Sequence, residues 1–175
     1  GELKMRGFGL PTPPPPTLEL FCNGRPQTLA RWPNQGFTQA WLVKGATELP
    51  PTFLKKRGTK EGAFGYVGKR QNGWASEKEV CLGGYWYWDW SDEFQKVSKI
   101  DTLSKCLYLA EPYHNYGYKD SLNYFGVNLF CEIDQPGEWF LDRTDGQLYW
   151  YPPVDVNPAK AEVSLSVFDA PFMIE

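Results

Sequence analysis

GEWFLDRTDGQLYWYPP, residues 137–153, decides the fold class. Two alternating, aromatic-rich runs, Glu138–Asp142 and Gln147–Tyr151, flank Thr144-Asp145-Gly146. A period of two is what a strand with one buried face requires, and Asp-Gly supplies the positive-φ geometry of a hairpin turn. Pro152-Pro153 ends the second run, because proline has no N–H to give to a ladder.

Similar local patterns recur upstream. Leu18–Cys22 reads as a strand, Asn23-Gly24 as a turn and Gln27–Arg31 as the returning strand, stopped by Trp32-Pro33-Asn34. Gln39–Val43 is a further short strand, and Lys44–Asn72, rich in Gly, Lys and Pro, predicts long loops with one or two strands, around Ala63–Val67. Glu79–Leu82 and Tyr85–Trp90 are strands separated by Gly83-Gly84. Ser91 and the acids after it resemble a helix start, but β-branched and aromatic content favours strands at Phe94–Ile100 and Lys105–Ala110 around a turn at Thr102–Ser104. Tyr113–Asp120 is a polar aromatic loop, Asn123–Glu132 a strand or short helix, and Ala161–Phe168 a last strand. Roughly ten short strands predict an all-β fold: an antiparallel β-sandwich or barrel-like domain with long loops and little helix.

Residues 1–17 read as a connector, because Pro11–Pro16 (PTPPPP) favours stiff polyproline geometry. Gly1 reads as a tag remnant, residues 18–168 as a single domain, and 169–175 as an exit segment. Both ends are expected to be those of a piece cut from a longer chain. At 175 residues one core is affordable and two would be cramped.

Composition narrows the function. The 17% aromatic content is high, whereas 22% charged residues is ordinary. A net charge of −3 disfavours nucleic acid, which needs a basic field, and leaves neutral polymers compatible. Cys22, Cys81, Cys106 and Cys131 show no metal-ligand spacing and His114 is the sole histidine, so no metal and no cofactor is expected. Buried free thiols are the first reading of the cysteines, one disulfide the alternative. No run approaches the ~18 apolar residues of a membrane span, so no membrane partner is expected.

Hydrolytic chemistry finds little footing. His114 lies in a Tyr- and Gly-rich loop without a nucleophile motif. Asp89, Asp92 and Glu93 are the nearest carboxylate cluster to a glycosidase pair, but adjacent acids after an aromatic run read as solvated turn residues. Asp142-Arg143 reads as an exposed or cross-strand ion pair. Catalytic residues are therefore expected to be absent.

Binding chemistry has two candidate places. If YWYWDW (85–90) is a strand, Trp86, Trp88 and Trp90 share one face, and Tyr85, Tyr87 and Asp89 the other. One reading buries the tryptophans as core and wets the Tyr/Asp face; the other makes one face a platform for sugar rings, whose C–H patches stack on aromatics. The loop with Tyr113, His114, Tyr116 and Tyr118 offers the same chemistry in a more accessible setting. Carbohydrate contact is expected there, through Tyr113, His114, Tyr116, Tyr118, Tyr85, Tyr87 and Asp89.

Three stretches also carry a resemblance: LELFCNGRPQTLARWPNQGF (18–37), WDWSDEFQKVSKID (88–101) and NLFCEIDQPGEWFLDRTDGQLYWYPP (128–153). They look like an insertion domain of bacterial right-handed parallel β-helix proteins related to glycoside hydrolase family 141, over about residues 6–163. The resemblance implies a secreted, periplasmic or extracellular parent acting on plant-type polysaccharides, with its catalytic carboxylates on a β-helix absent from this chain. The chain itself is then a non-catalytic accessory domain that shapes the substrate cleft or stabilises the scaffold, with the parent β-helix domain and a plant-type oligosaccharide or polysaccharide as partners. Alternatives are an autonomous carbohydrate-binding module and a protein-interaction domain with no glycan role. An insertion needs neighbouring ends, so the segment near Leu10–Leu18 is expected beside Val163–Phe168.

Overall fold

The ten-residue strand Asp92–Asp101 organises the molecule. In a computed structural model that describes residues 18–51 and 56–166, it pairs with Cys81–Tyr85 on one side and Cys106–Leu109 on the other. The predicted connector (1–17), the exit segment (169–175) and the tip of the last strand lie outside the described residues. The central sheet runs Arg31–Trp32, Asn123–Val127, Cys81–Tyr85, Asp92–Asp101, Cys106–Leu109, Ala63–Gly65, Val43–Lys44. Thr38–Gln39 adds to Asn123–Val127, and the whole ladder is antiparallel. Its first and last strands do not pair with each other, so the all-β architecture is sandwich-like and not a closed barrel.

Three smaller sheets surround this one. Leu20–Cys22 pairs with Arg25–Pro26 and with Val163–Leu165. The expected hairpin at 137–153 forms, with Trp139 opposite Trp150 and Asp142 opposite Gln147, and Thr28–Leu29 adds to it in parallel. Gly58–Thr59 joins Glu48–Leu49 to Tyr118–Lys119.

The core lies on one face of the central sheet, where Leu82, Tyr124, Phe64 and Leu107 close over Trp74 and Trp86. Trp86 is fully buried, its ring against Phe64 and Tyr118, and its indole N–H donates to the Glu93 carbonyl at 3.1 Å. On the opposite face Phe94 and Phe125 meet edge to face at 5.8 Å. They stand over Gly83, where a Cβ would come within 2.5 Å of the Phe125 ring.

That packing corrects the reading of Gly83-Gly84 as a separator. Both glycines lie inside the strand Cys81–Tyr85, and the strand predicted for Tyr85–Trp90 does not form. Tyr85 is its last paired residue, opposite Asp92 and Asn123. Residues 86–91 form the connection to Asp92–Asp101, with the Ser91 N–H donating to the Trp88 carbonyl at 3.1 Å. Without a strand there is no shared tryptophan face: Trp86 is core, Trp88 half-buried and Trp90 55% exposed.

Other elements also shift. The returning strand predicted at Gln27–Arg31 splits, so Thr28–Leu29 pairs with the hairpin and Arg31–Trp32 with the central sheet. Gln39–Val43 divides into Thr38–Gln39 and Val43–Lys44, on opposite margins of that sheet. Asn123–Glu132 is both expected things in turn, a strand at Asn123–Val127 and a 3₁₀ turn at Phe130–Glu132. A 3₁₀ helix at Arg70–Ser76 stands where loop was expected. The Asp142-Arg143 ion pair is not made: Asp142 pairs with Lys78 at 2.8 Å and Arg143 with Glu79 at 2.9 Å. Cys22, Cys81 and Cys106 are buried and Cys131 exposed, all as free thiols. No helix among the described residues is long and apolar enough to cross a membrane.

Candidate functional site

The two aromatic segments singled out in the sequence, 85–90 and 113–120, meet at one corner of the molecule. Lys119 holds them together: its ammonium pairs with the Asp89 carboxylate and its N–H donates to the Trp86 carbonyl at 2.9 Å. The ledge they form is Trp90, 55% exposed, flanked by Trp88 stacked parallel at 6.5 Å and by Tyr116 edge to face at 5.5 Å. Tyr113, also exposed, lies edge-on to Tyr118 at 6.4 Å.

Segment 113–120 is not loop throughout, because Tyr118–Lys119 is a strand paired with Gly58–Thr59, and hydrogen bonds hold the loop before it. The Gly117 N–H donates to the His114 carbonyl at 2.8 Å, and the Lys60 ammonium donates to the Asn115 carbonyl at 2.6 Å. Gly117 adopts φ +80°, and a Cβ there would lie 2.5 Å from both the Thr59 carbonyl and Leu49, so only glycine fits.

Beneath the ledge runs a buried polar chain. His114 and Ser91 stand 3.2 Å apart through imidazole Nε2 and hydroxyl. The His114 backbone N–H donates to the Tyr118 hydroxyl at 3.0 Å, which donates to the Gln95 side-chain oxygen Oε1, and the Gln95 Nε2 donates to Glu93 at 2.9 Å. Burial holds the His114 imidazole down at about 4 and pushes the Glu93 carboxyl above the usual carboxylate range. Ser91, His114 and Glu93 superficially resemble a hydrolytic triad. Glu93 and Ser91 both face Nε2, at 3.8 and 3.2 Å, whereas a relay needs the acid on the other nitrogen. All three are buried, so the group braces the ledge and is not open to a substrate.

Of the seven residues predicted for carbohydrate contact, Tyr113, Tyr116 and Asp89 are exposed. His114, Tyr118 and Tyr87 are buried, Tyr87 with its hydroxyl donating to the Pro50 carbonyl at 2.6 Å. Tyr85 belongs elsewhere, half-buried beside Phe37 on the outer face of the central sheet. Trp90 and Trp88 were missed because strand alternation assigned them to the core. Among the carboxylates, Asp89 is exposed and paired, while Asp92 and Glu93, adjacent on a strand, point to opposite faces. They do not converge as a glycosidase pair would.

No protein-family model and no curated protein matches the chain. Among solved structures it is similar to a chain named glycoside hydrolase, at 14% identity with a TM-score of 0.59. The likeness covers 86% of this chain and 26% of that one, so this chain spans about a quarter of its neighbour's length. At that identity the fold is what the two share.

Proposed function

We propose that this chain is a non-catalytic accessory domain of a polysaccharide-degrading protein, inserted into the scaffold that carries the chemistry, and that the Trp90–Tyr116 ledge meets the glycan. One observation carries the reading: Leu20–Cys22 and Val163–Leu165 are antiparallel neighbours, with the Ser166 N–H donating to the Glu19 carbonyl at 2.8 Å. Incoming and outgoing chain thus run side by side, as a domain joined twice to one scaffold requires. The likeness to a quarter of a chain named glycoside hydrolase supports it. In this reading the parent is a secreted β-helix glycoside hydrolase and the domain shapes its cleft.

A second reading, an autonomous carbohydrate-binding module, is favoured by the exposure of Trp90 and Tyr116. Binding and turnover of xylan, pectin and fucosylated fragments by the chain separate these from an enzyme. Trp90→Ala and Tyr116→Ala are expected to weaken glycan binding at least about tenfold without unfolding, whereas Trp86→Ala should destabilise by ~3–5 kcal/mol. Glycosidase turnover abolished by Asp89→Asn or Asp92→Asn would overturn the non-catalytic assignment.

A further inference from the structure

In the hairpin at 137–153 the first strand is buried from Glu138 to Phe140, whereas the second, Gln147–Trp150, is largely exposed. Trp139 is core, but on the other face the row Gln147, Tyr149, Tyr151 stands at about 7 Å spacing, two strand residues apart. Tyr149 and Tyr151 are 42% and 45% exposed, and Phe130, brought alongside by the 3₁₀ turn Phe130–Glu132, is 47% exposed. Phe130 meets Tyr149 edge to face at 4.8 Å and Phe140 at 5.6 Å. Three large rings left this open in one place mark a contact surface.

The surface is a trough. A hollow of about 300 Å³ lies between Phe130, Phe140 and Tyr149 and the polar groups of Lys78, Asp142 and Glu77. A second, of about 500 Å³, continues past Phe130 and Tyr149 to Trp150, Tyr151 and Ile133. A third, of about 190 Å³, borders Lys78 and extends to Glu79 and Lys96. Because neighbouring hollows share side chains, the shape suits an extended chain better than a compact ligand.

The charges in the trough select its occupant. Lys78 pairs with Asp142 at 2.8 Å and Arg143 with Glu79 at 2.9 Å. The Glu77 carboxylate accepts the backbone N–H groups of Phe130 and Cys131 at 3.1 and 3.0 Å. A polyanion would meet the carboxylates of Glu77, Glu79 and Asp142, and a polycation the charges of Lys78, Lys96 and Arg143. A hydroxyl that donates to the carboxylate and accepts from the ammonium of one pair fits without leaving either charge bare.

From this we infer that the trough along Phe130, Tyr149 and Tyr151 is a binding site for an extended, neutral oligosaccharide, its C–H faces on the rings and its hydroxyls on the Lys78–Asp142 pair. The site shares no residue with the Trp90–Tyr116 ledge. Its ligand class rests on the glycan reading above; its geometry does not.

Titration calorimetry of the chain with neutral gluco-, xylo- and manno-oligosaccharides of increasing length tests it, with Tyr149→Ala, Tyr149→Phe, Trp90→Ala and the Tyr149→Ala/Trp90→Ala double variant. The expected result is affinity that rises with chain length, a site lost or weakened at least about tenfold in Tyr149→Ala and kept in Tyr149→Phe and Trp90→Ala. Thermal melts confirm that each variant is folded; if Tyr149→Ala is not, Tyr151→Ala, on the same row, takes its place. An isotherm unchanged by Tyr149→Ala but abolished by Trp90→Ala overturns the trough and leaves the ledge. Absence of heat for every oligosaccharide with the unaltered chain overturns glycan contact at both places.

Discussion

His114 is buried among Ser91, Tyr118 and Tyr116, and its imidazole is held near 4 by desolvation, against an ordinary 6.5. Below pH 6.5 the unfolded chain takes up a proton that the folded chain refuses, so stability falls as pH drops and levels off near pH 4. Glu93 acts with the opposite sign. Its carboxyl is raised by burial, so the folded chain keeps a proton that the unfolded one releases, and stability falls as pH rises past the ordinary 4.5. The two effects partly offset each other between those values, and the histidine contribution alone is worth up to ~3 kcal/mol. Urea unfolding midpoints between pH 4 and 7 check this. Glu93→Gln is expected to steepen the acid loss and His114→Gln to flatten it; parallel curves for both variants would show that neither group senses pH through folding.

At the scale of elements, the short 3₁₀ helix Arg70–Ser76 is fixed by long-range contacts. Trp74 is fully buried against Gly126, and its indole N–H donates to Glu132 at 2.7 Å. Arg70 grips the same carboxylate through two nitrogens and reaches Asp134 at 2.8 Å. Glu132 is 1% exposed, so removing its cationic partner strands a buried charge. Arg70→Ala is expected to cost ~3–5 kcal/mol, and adding Glu132→Gln should restore part of it. Additive losses in chemical denaturation would mean that the pair is not coupled.

None of that is legible locally, because Arg70 and Glu132 are 62 residues apart. The hairpin was legible, since its turn and its alternation lie in seventeen consecutive letters. Gly83-Gly84 misled for the opposite reason: what keeps glycine in a strand there is the cover of Phe94 and Phe125 from neighbouring strands. The ledge was half legible. Both its segments stood out by composition, but their meeting depends on Lys119 reaching Asp89 across 30 residues, and Trp90 is exposed only because the strand stops at Tyr85.

At the scale of the molecule, the pairing of Leu20–Cys22 with Val163–Leu165 closes the chain on itself. Asn23 reinforces it, donating its N–H to the Glu162 carbonyl at 2.8 Å and accepting the Glu162 N–H on its side chain at 3.0 Å. If this small sheet acts as the clasp of an inserted domain, the fold should not care which ends are covalently joined. A circular permutant tests that. Residue 166 is linked to residue 18 by a short Gly/Ser bridge, and new ends are opened at Leu103, which is 97% exposed in the turn between Asp92–Asp101 and Cys106–Leu109. The opening sacrifices the two turn bonds that Asp101 accepts from Leu103 and Ser104, worth about 1–2 kcal/mol together. Against that, the bridge spans a gap already closed in the native state, so it adds little loop entropy. Cooperative unfolding with a stability loss no larger than about 2 kcal/mol is therefore expected. Folding should slow, because the Asp92–Asp101/Cys106–Leu109 hairpin becomes a long-range pairing. A permutant that melts without cooperativity would mean that the fold depends on the continuous Asp92–Asp101/Cys106–Leu109 hairpin and not on closure of the ends.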